Sequence, residues 1–211
     1  MTIGRPTRVR VGALALAATM VIGGCTGAAP TPSVVMLAPT TNAPMGVRDT
    51  VYSPAEPEPP LQLTDQDGQP FDLASFRGTP VFVYFGYTHC PDVCPTTLAD
   101  LRTAIQTAGL PAKVVFVTVD PARDNAAWIK RYLDAFKAGF IGLTGTPVQI
   151  ATAAAAWGVR YQAQPADSQG NYAMIHTSDV FLVDGQGMLR NHIFFGAGSA
   201  MIASILRQVS G

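Results

Sequence analysis

Five consecutive residues, Val81-Phe82-Val83-Tyr84-Phe85, are apolar, and all are β-branched or aromatic. A short run with no polar alternation suits a central strand buried on both faces. Cys90 and Cys94 follow closely, and then Pro95, whose missing N–H costs nothing in the first turn of a helix. Leu98, Leu101, Ile105 and Ala108 recur at three- and four-residue spacings, as one buried helix face requires. Residues 95–108 are therefore predicted helical. Any fold for this chain must place two thiols between the carboxyl end of a buried strand and a helix, where open sheets place their sites.

Further along, Lys113–Val119 reads as a second buried strand, followed by the loop Asp120-Pro121-Ala122-Arg123-Asp124. A helix to about Lys137 is expected next, with Trp128, Ile129, Tyr132, Leu133 and Phe136 on its apolar face. A short strand near Phe140–Leu143 precedes a helix capped by Thr146-Pro147 and ending near Trp157. Val159–Ala163 reads as a strand and residues 164–171 as a polar loop. Asp179–Val183 and Met188–Phe194 form a hairpin around Asp184-Gly185-Gln186-Gly187, and a helix over Ser199–Val209 closes the chain. Upstream, Leu61-Gln62-Leu63-Thr64 alternates before the turn signal Asp67-Gly68. The fold class is α/β: a mixed central sheet flanked by helices, with a hairpin and a helical insertion. That arrangement is compatible with a thioredoxin-like fold, which the cysteine segment favours and composition alone would not choose.

The first 60 residues are unlike the rest. Arg5, Arg8 and Arg10 precede an apolar run from Val11 to Ile22, then Gly23, Gly24 and Cys25. A basic start, a short apolar stretch and small residues at its end read as a signal peptide over residues 1–24. The run is shorter than the roughly 20 residues a membrane-spanning helix needs. Ile22-Gly23-Gly24-Cys25 resembles a bacterial lipoprotein cleavage box, which implies cleavage before Cys25 and lipid on that cysteine. Residues 25–60, rich in proline, are expected to form a lipidated, extended linker, leaving 61–211 as the folded domain. The whole chain is balanced, with 14 basic and 14 acidic residues. Losing three leader arginines leaves 11 basic against 14 acidic, a net of −3. Such a chain lacks the basic excess of a nucleic-acid protein. It is expected outside the cytoplasm, where disulfides persist, held at the cell membrane by its lipid.

Two thiols spaced Cys-x₃-Cys can close a disulfide or supply two soft ligands to one metal. The helix N-terminus is expected to favour their thiolates, with Cys94 nearest that end. The bland alternative is a structural disulfide or two buried cysteines. A third ligand would come from His89, His176 or His192. His89 adjoins Cys90, so its side chain is expected to diverge from the sulfur. His192 reads as a strand residue with a polar partner. His176 lies in Met174–Ser178, immediately before the strand Asp179–Val183, and is expected in a loop that enters the sheet close to the redox helix in a thioredoxin-like fold. Spacing alone leaves its role open.

Gly86-Tyr87-Thr88-His89-Cys90-Pro91-Asp92-Val93-Cys94-Pro95-Thr96-Thr97 resembles the signature of the Sco/SenC family of copper-handling proteins. Val119–Asp124, Phe140–Gly145 and His176-Thr177 before Phe181-Leu182-Val183-Asp184 appear in the family's order. The resemblance covers about residues 61–209. It implies a thioredoxin-like fold with one copper ion, Cu(I) or Cu(II), held by Cys90, Cys94 and His176. It also implies a role in delivering copper to the binuclear site of cytochrome c oxidase, or in reducing that site's cysteines. The expected partner is that copper-bearing subunit or another copper protein, and a monomer is expected. Thiolates select Cu(I), and imidazole suits either oxidation state. Asp120 and Asp124 are candidate outer groups around copper; helix capping and an ion pair involving Arg123 are the favoured alternative. Asn125-Ala126 departs from the proline-containing turn common in the family, and a lipid replaces the membrane helix of some members.

Three rivals remain at this level. A thiol–disulfide oxidoreductase would use Cys90 and Cys94 as its redox pair. Against it, general thioredoxin-type enzymes use Cys-x₂-Cys and a proline before the later strand. Peroxiredoxins place Thr and Pro three and seven residues before their cysteine, where this chain has Pro91 and Tyr87 before Cys94. A structural or adhesive surface lipoprotein would need neither copper nor reactive thiols.

Overall fold

The computed structural model describes residues 49–210. The leader expected over residues 1–24, the lipid site Cys25 and most of the linker lie outside the described residues. In chain order the elements begin with strands β1 (Asp49–Pro57), β2 (Thr64–Asp65) and β3 (Val81–Gly86), then helix α1 (Val93–Ala108). Next come β4 (Lys113–Thr118), α2 (Ala126–Asp134), β5 (Ile141–Thr144) and α3 (Pro147–Ala156). The remainder is β6 (Tyr161–Ala163), β7 (Met174–His176), β8 (Val180–Val183), β9 (Met188–Ile193) and α4 (Gly198–Ser210).

Seven strands form one sheet in the order β1-β9-β8-β3-β4-β5-β2. β3 sits at its centre, fully buried as its composition requires. It pairs parallel to β4 and antiparallel to β8. Side chains alternate along it. Tyr84 meets Phe116, which meets Tyr132 of α2, at ring separations of 6.2 and 5.9 Å on one face. Phe85 meets Phe181 and Trp157 beyond α3 on the other. The expected mixed sheet with helices on both faces, a parallel core pair and the β8–β9 hairpin are all present.

Local chemistry sets the helix ends. Gly109, at φ +67°, closes α1 in the left-handed conformation. Thr146 and Gln149 form a reciprocal capping box at α3, with Pro147 behind the cap. α2 stops at Asp134, short of the expected Lys137, because Lys137 and Gly139 both turn to positive φ. α2 lies close on β5: a Cβ at Gly142 would fall 2.1 Å from Ile129 Cγ2.

Two expectations are corrected. The folded unit begins by Asp49, not at residue 61, because residues 49–57 pair with β9 as an edge strand. Pro54 and Pro57 are tolerated there since an edge needs donors on only one side, and the pairing is interrupted between Val51 and Glu56. Met174–His176, expected as a loop, is instead β7, paired with β6 in a separate two-stranded sheet. Among the described residues no helix is long and apolar enough to cross a membrane.

Candidate metal centre

The chain leaves β3 at Gly86 and returns as α1, whose first turn holds Cys94. Gly86 makes that return close enough. A Cβ there would lie 2.9 Å from Phe116 Cε2, 3.0 Å from Tyr84 Cε1 and 3.1 Å from Cys94 Sγ. Cys94 is fully buried as a result, while Cys90 is half-buried, and both are free thiols. The Tyr84 hydroxyl donates to Cys94 Sγ at 3.4 Å. The Cys94 N–H donates to Cys90 Sγ, also at 3.4 Å.

The two thiols have opposite proton affinities. Burial pushes Cys94 up to about 12, against the downward pull of the Tyr84 hydroxyl. Burial also pushes Cys90 upward, but the N–H groups of Cys94 and Asp92 outweigh it and the net shift is downward. The expectation that the helix terminus would favour the Cys94 thiolate is therefore corrected. The free N–H groups of α1 serve Cys90, because Cys94 is tucked beneath the sheet.

His176 ends β7 beside this pair. Its Nδ1 lies 2.8 Å from the Thr177 carbonyl. A carbonyl only accepts, so Nδ1 carries the proton and Nε2 presents its lone pair. Nε2 is 3.7 Å from Cys94 Sγ. Burial pulls the imidazole below its usual 6.5, outweighing the opposite influences of the Thr177 carbonyl and Asp179. It is neutral at pH 7, the form that binds metal.

The donors fit a soft ion. Bonds of about 2.3 Å to sulfur and about 2.1 Å to nitrogen, at angles between tetrahedral and trigonal, place the two donors about 3.6–3.8 Å apart. The observed sulfur–nitrogen distance falls in that range. Cys90 is held nearby on the Cys94 N–H. Among the described residues no three potential ligands are already closed around a vacant centre. Cys94 and His176 would supply the pre-set half of such a site, and Cys90 would complete it by giving up its hydrogen bond to the Cys94 N–H.

The other sequence candidates point elsewhere. His89 Nδ1 lies 3.3 Å from Asp124 and its ring stacks on Trp128. His192 pairs with Asp179 at 2.8 Å and stacks on Phe181, the strand role expected for it. Asp120 pairs with Arg123, also as favoured. Asp124 is not the helix cap, which Asn125 supplies. It is a buried hub that accepts from Thr88 N–H, Thr88 Oγ1 and Thr118 Oγ1. Trp128, expected on the apolar face of α2, is partly exposed and donates to Thr88 Oγ1 at 2.7 Å.

Sequence reading missed two tyrosines. Tyr84 bonds Cys94, and Tyr87 meets the His176 ring edge-on at 5.8 Å. A tyrosine within an otherwise apolar central strand is the available signal for the first, since its buried hydroxyl must find a partner.

Comparison with known proteins converges on one family. The SCO1/SenC profile matches residues 50–210. A Stutzerimonas stutzeri protein that carries copper binding in its name is 39% identical over 141 residues, 64% of this chain and 68% of that protein. The mouse mitochondrial protein SCO2 homolog is 36% identical over 153 residues, 70% of this chain but only 60% of its own length. The structure of Bradyrhizobium japonicum ScoI with copper bound superposes with a TM-score of 0.65 at 34% identity, over 74% of this chain and 99% of that one. The likeness thus extends to the thioredoxin-like arrangement of the sheet. Since the matched span contains both thiols, the histidine beside them and the strands that position all three, this chain belongs to the SCO1/SenC family.

Proposed function

We propose that this protein is a lipid-anchored, extracytoplasmic copper carrier that serves the binuclear copper site of cytochrome c oxidase. The observation that carries the reading is the 3.7 Å approach of the unprotonated His176 Nε2 to Cys94 Sγ. Two thiolates and one imidazole form a low-coordinate, soft site suited to Cu(I) and incomplete for structural zinc. The open position admits a ligand from the acceptor, which lets the ion pass on. The copper named for relatives of this chain supports the choice of metal. The sequence Ile22–Cys25 supports the lipid anchor and the extracytoplasmic site.

The inequality of the thiols favours a second role for the same pair. Half-buried Cys90, with its lowered proton affinity, is the better nucleophile, and buried Cys94 is the resolving thiol. Cys90 thiolate attacks an acceptor disulfide and releases one acceptor thiol. Cys94 then gives up its proton and attacks Cys90, releasing the second. Two electrons and two protons leave the dithiol, and the acceptor gains them. An oxidase subunit with oxidised copper-site cysteines would be such an acceptor.

Anaerobic Cu(I) titration against a competing chelator tests the copper reading. Wild type binds one ion, His176→Ala loses at least the roughly hundredfold that removal of an outer support can cost, and the Cys90–Cys94 disulfide form binds none until reduced. Unchanged affinity in His176→Ala, or equal uptake by the oxidised protein, overturns it.

A further inference from the structure

His176 sits on β7, and the β6–β7 pair is not hydrogen-bonded into the main sheet. Something else must fix this hairpin relative to the cysteines on α1. Its His176 end continues directly toward β8. The far end, at Tyr172, is held by one knot of side chains that the copper site does not use.

Arg123 lies at the centre of that knot. Its Nε donates to Asp120 Oδ2 at 2.5 Å, and its Nη1 donates to the Tyr172 carbonyl at 2.8 Å. The guanidinium carbon stands 3.6 Å from the centroid of the Tyr172 ring. The Tyr172 hydroxyl closes the circuit by donating to Asp120 Oδ1 at 2.8 Å. Asp120 is itself buried just past β4, with its N–H bonded to Thr118 Oγ1. The Arg123 guanidinium carbon also lies 5.9 Å from the centroid of the Tyr87 ring, and Tyr87 is the ring that meets His176 edge-on. Arg123 thus couples the rigid end of β4 both to the hairpin backbone and to the ring packed on the imidazole.

We infer that Arg123, with Asp120 and Tyr172, is a positioning residue that holds His176 within bonding range of a metal on Cys94. It touches no ligand atom and acts through the hairpin and Tyr87. A planar fork bonded on two sides and stacked on a ring does this better than the point charge of a lysine. The inference rests on the copper reading above.

A double-mutant cycle on the full-length reduced protein tests it. Cu(I) affinity is measured anaerobically for wild type, Arg123→Met, His176→Ala and the double variant. Arg123→Met costs about tenfold, the lower end of what removal of an outer support does to a metal site. In the His176→Ala background the same change has an effect below about twofold, because the ligand it positions is gone. In the Cu(II) form, Arg123→Met weakens the nitrogen superhyperfine splitting in the EPR spectrum, and Tyr172→Phe does so to a smaller degree. If Arg123→Met does not fold, Arg123→Lys and Tyr172→Phe carry the same cycle. An equal loss with and without His176, or no loss with His176 present, overturns the positioning role. An unchanged affinity in His176→Ala alone overturns instead the copper reading on which it rests.

Discussion

Pulse alkylation of the reduced protein should modify Cys90 almost alone. Cys94 is held at about 12 by burial, against an ordinary 9.0, and Cys90 lies below 9.0. At pH 8 a thiol at 12 is ionised to about one part in ten thousand, and one at 9.0 to about one part in eleven. The attacking species is the thiolate, so ionisation alone favours Cys90 by about a thousandfold. A more basic thiolate is intrinsically more reactive, with a Brønsted slope of about 0.4–0.5, and this returns about twentyfold to Cys94. The remaining preference is about fiftyfold, before the complete burial of Cys94 is counted. The assay is a short iodoacetamide pulse at pH 8, an acid quench, digestion, and fragment-ion assignment of the labelled cysteine. Cys90→Ser gives the rate of Cys94 by itself. Tyr84→Phe should slow that rate further, since the phenol's hydrogen bond to Cys94 favours its thiolate. Equal labelling of the two cysteines, or earlier labelling of Cys94, would refute the assignment of nucleophile and resolving thiol.

Other consequences are as direct. Gly86→Ala forces a methyl against Phe116, Tyr84 and Cys94, and thermal melting should report a loss of about 1–3 kcal/mol. Asp124→Ala leaves the donors of Thr88 and Thr118 buried without an acceptor, and urea unfolding should show a loss of about 2–4 kcal/mol. His176 has a folded value below 6.5, so the unfolded chain takes up its proton first as pH falls. Stability should therefore rise with pH through this window and decline below about 6.5. His176→Gln should flatten that part of the profile, measured by denaturant midpoint against pH.

The buried strand, the helix behind the thiols and the β8–β9 hairpin were legible because each is a local pattern of period or turn chemistry. Cys90 and Cys94 stood out by residue type and spacing, whereas His176 was left open by spacing and singled out only by the family resemblance; its Nε2 lies 3.7 Å from Cys94 Sγ. What sequence hid was set by contacts distant along the chain. β1 looks like linker because its prolines are tolerated only where β9 pairs along one side of it. Asp124 reads as a cap because its hydrogen-bonding groups, on Thr88 and Thr118, come from the ends of two strands. Cys94 adjoins a helix terminus, yet the burial that raises its proton affinity comes from Gly86, whose missing side chain admits the sulfur. Trp128 has helical spacing and hydrophobic character, but its indole N–H was claimed by Thr88 across the sheet's end.

The edge strand also bears on how far the thiols could reach from the anchor proposed above. Asp49 pairs with Ile193, Ile193 with Val180, and Val180 with Tyr84, so β1 begins at the cysteine end of the sheet. If Cys25 carries the proposed lipid, the 24 residues from it to Asp49 set an upper limit of about 80 Å on the distance between lipid and β1. Joined at the opposite end of the sheet, the same stretch would leave the height of a six-residue strand, about 20 Å, between its attachment and the thiols. Joined at the cysteine end it adds no such offset, so each residue deleted from that stretch should lower the thiols' reach by at most about 3.5 Å.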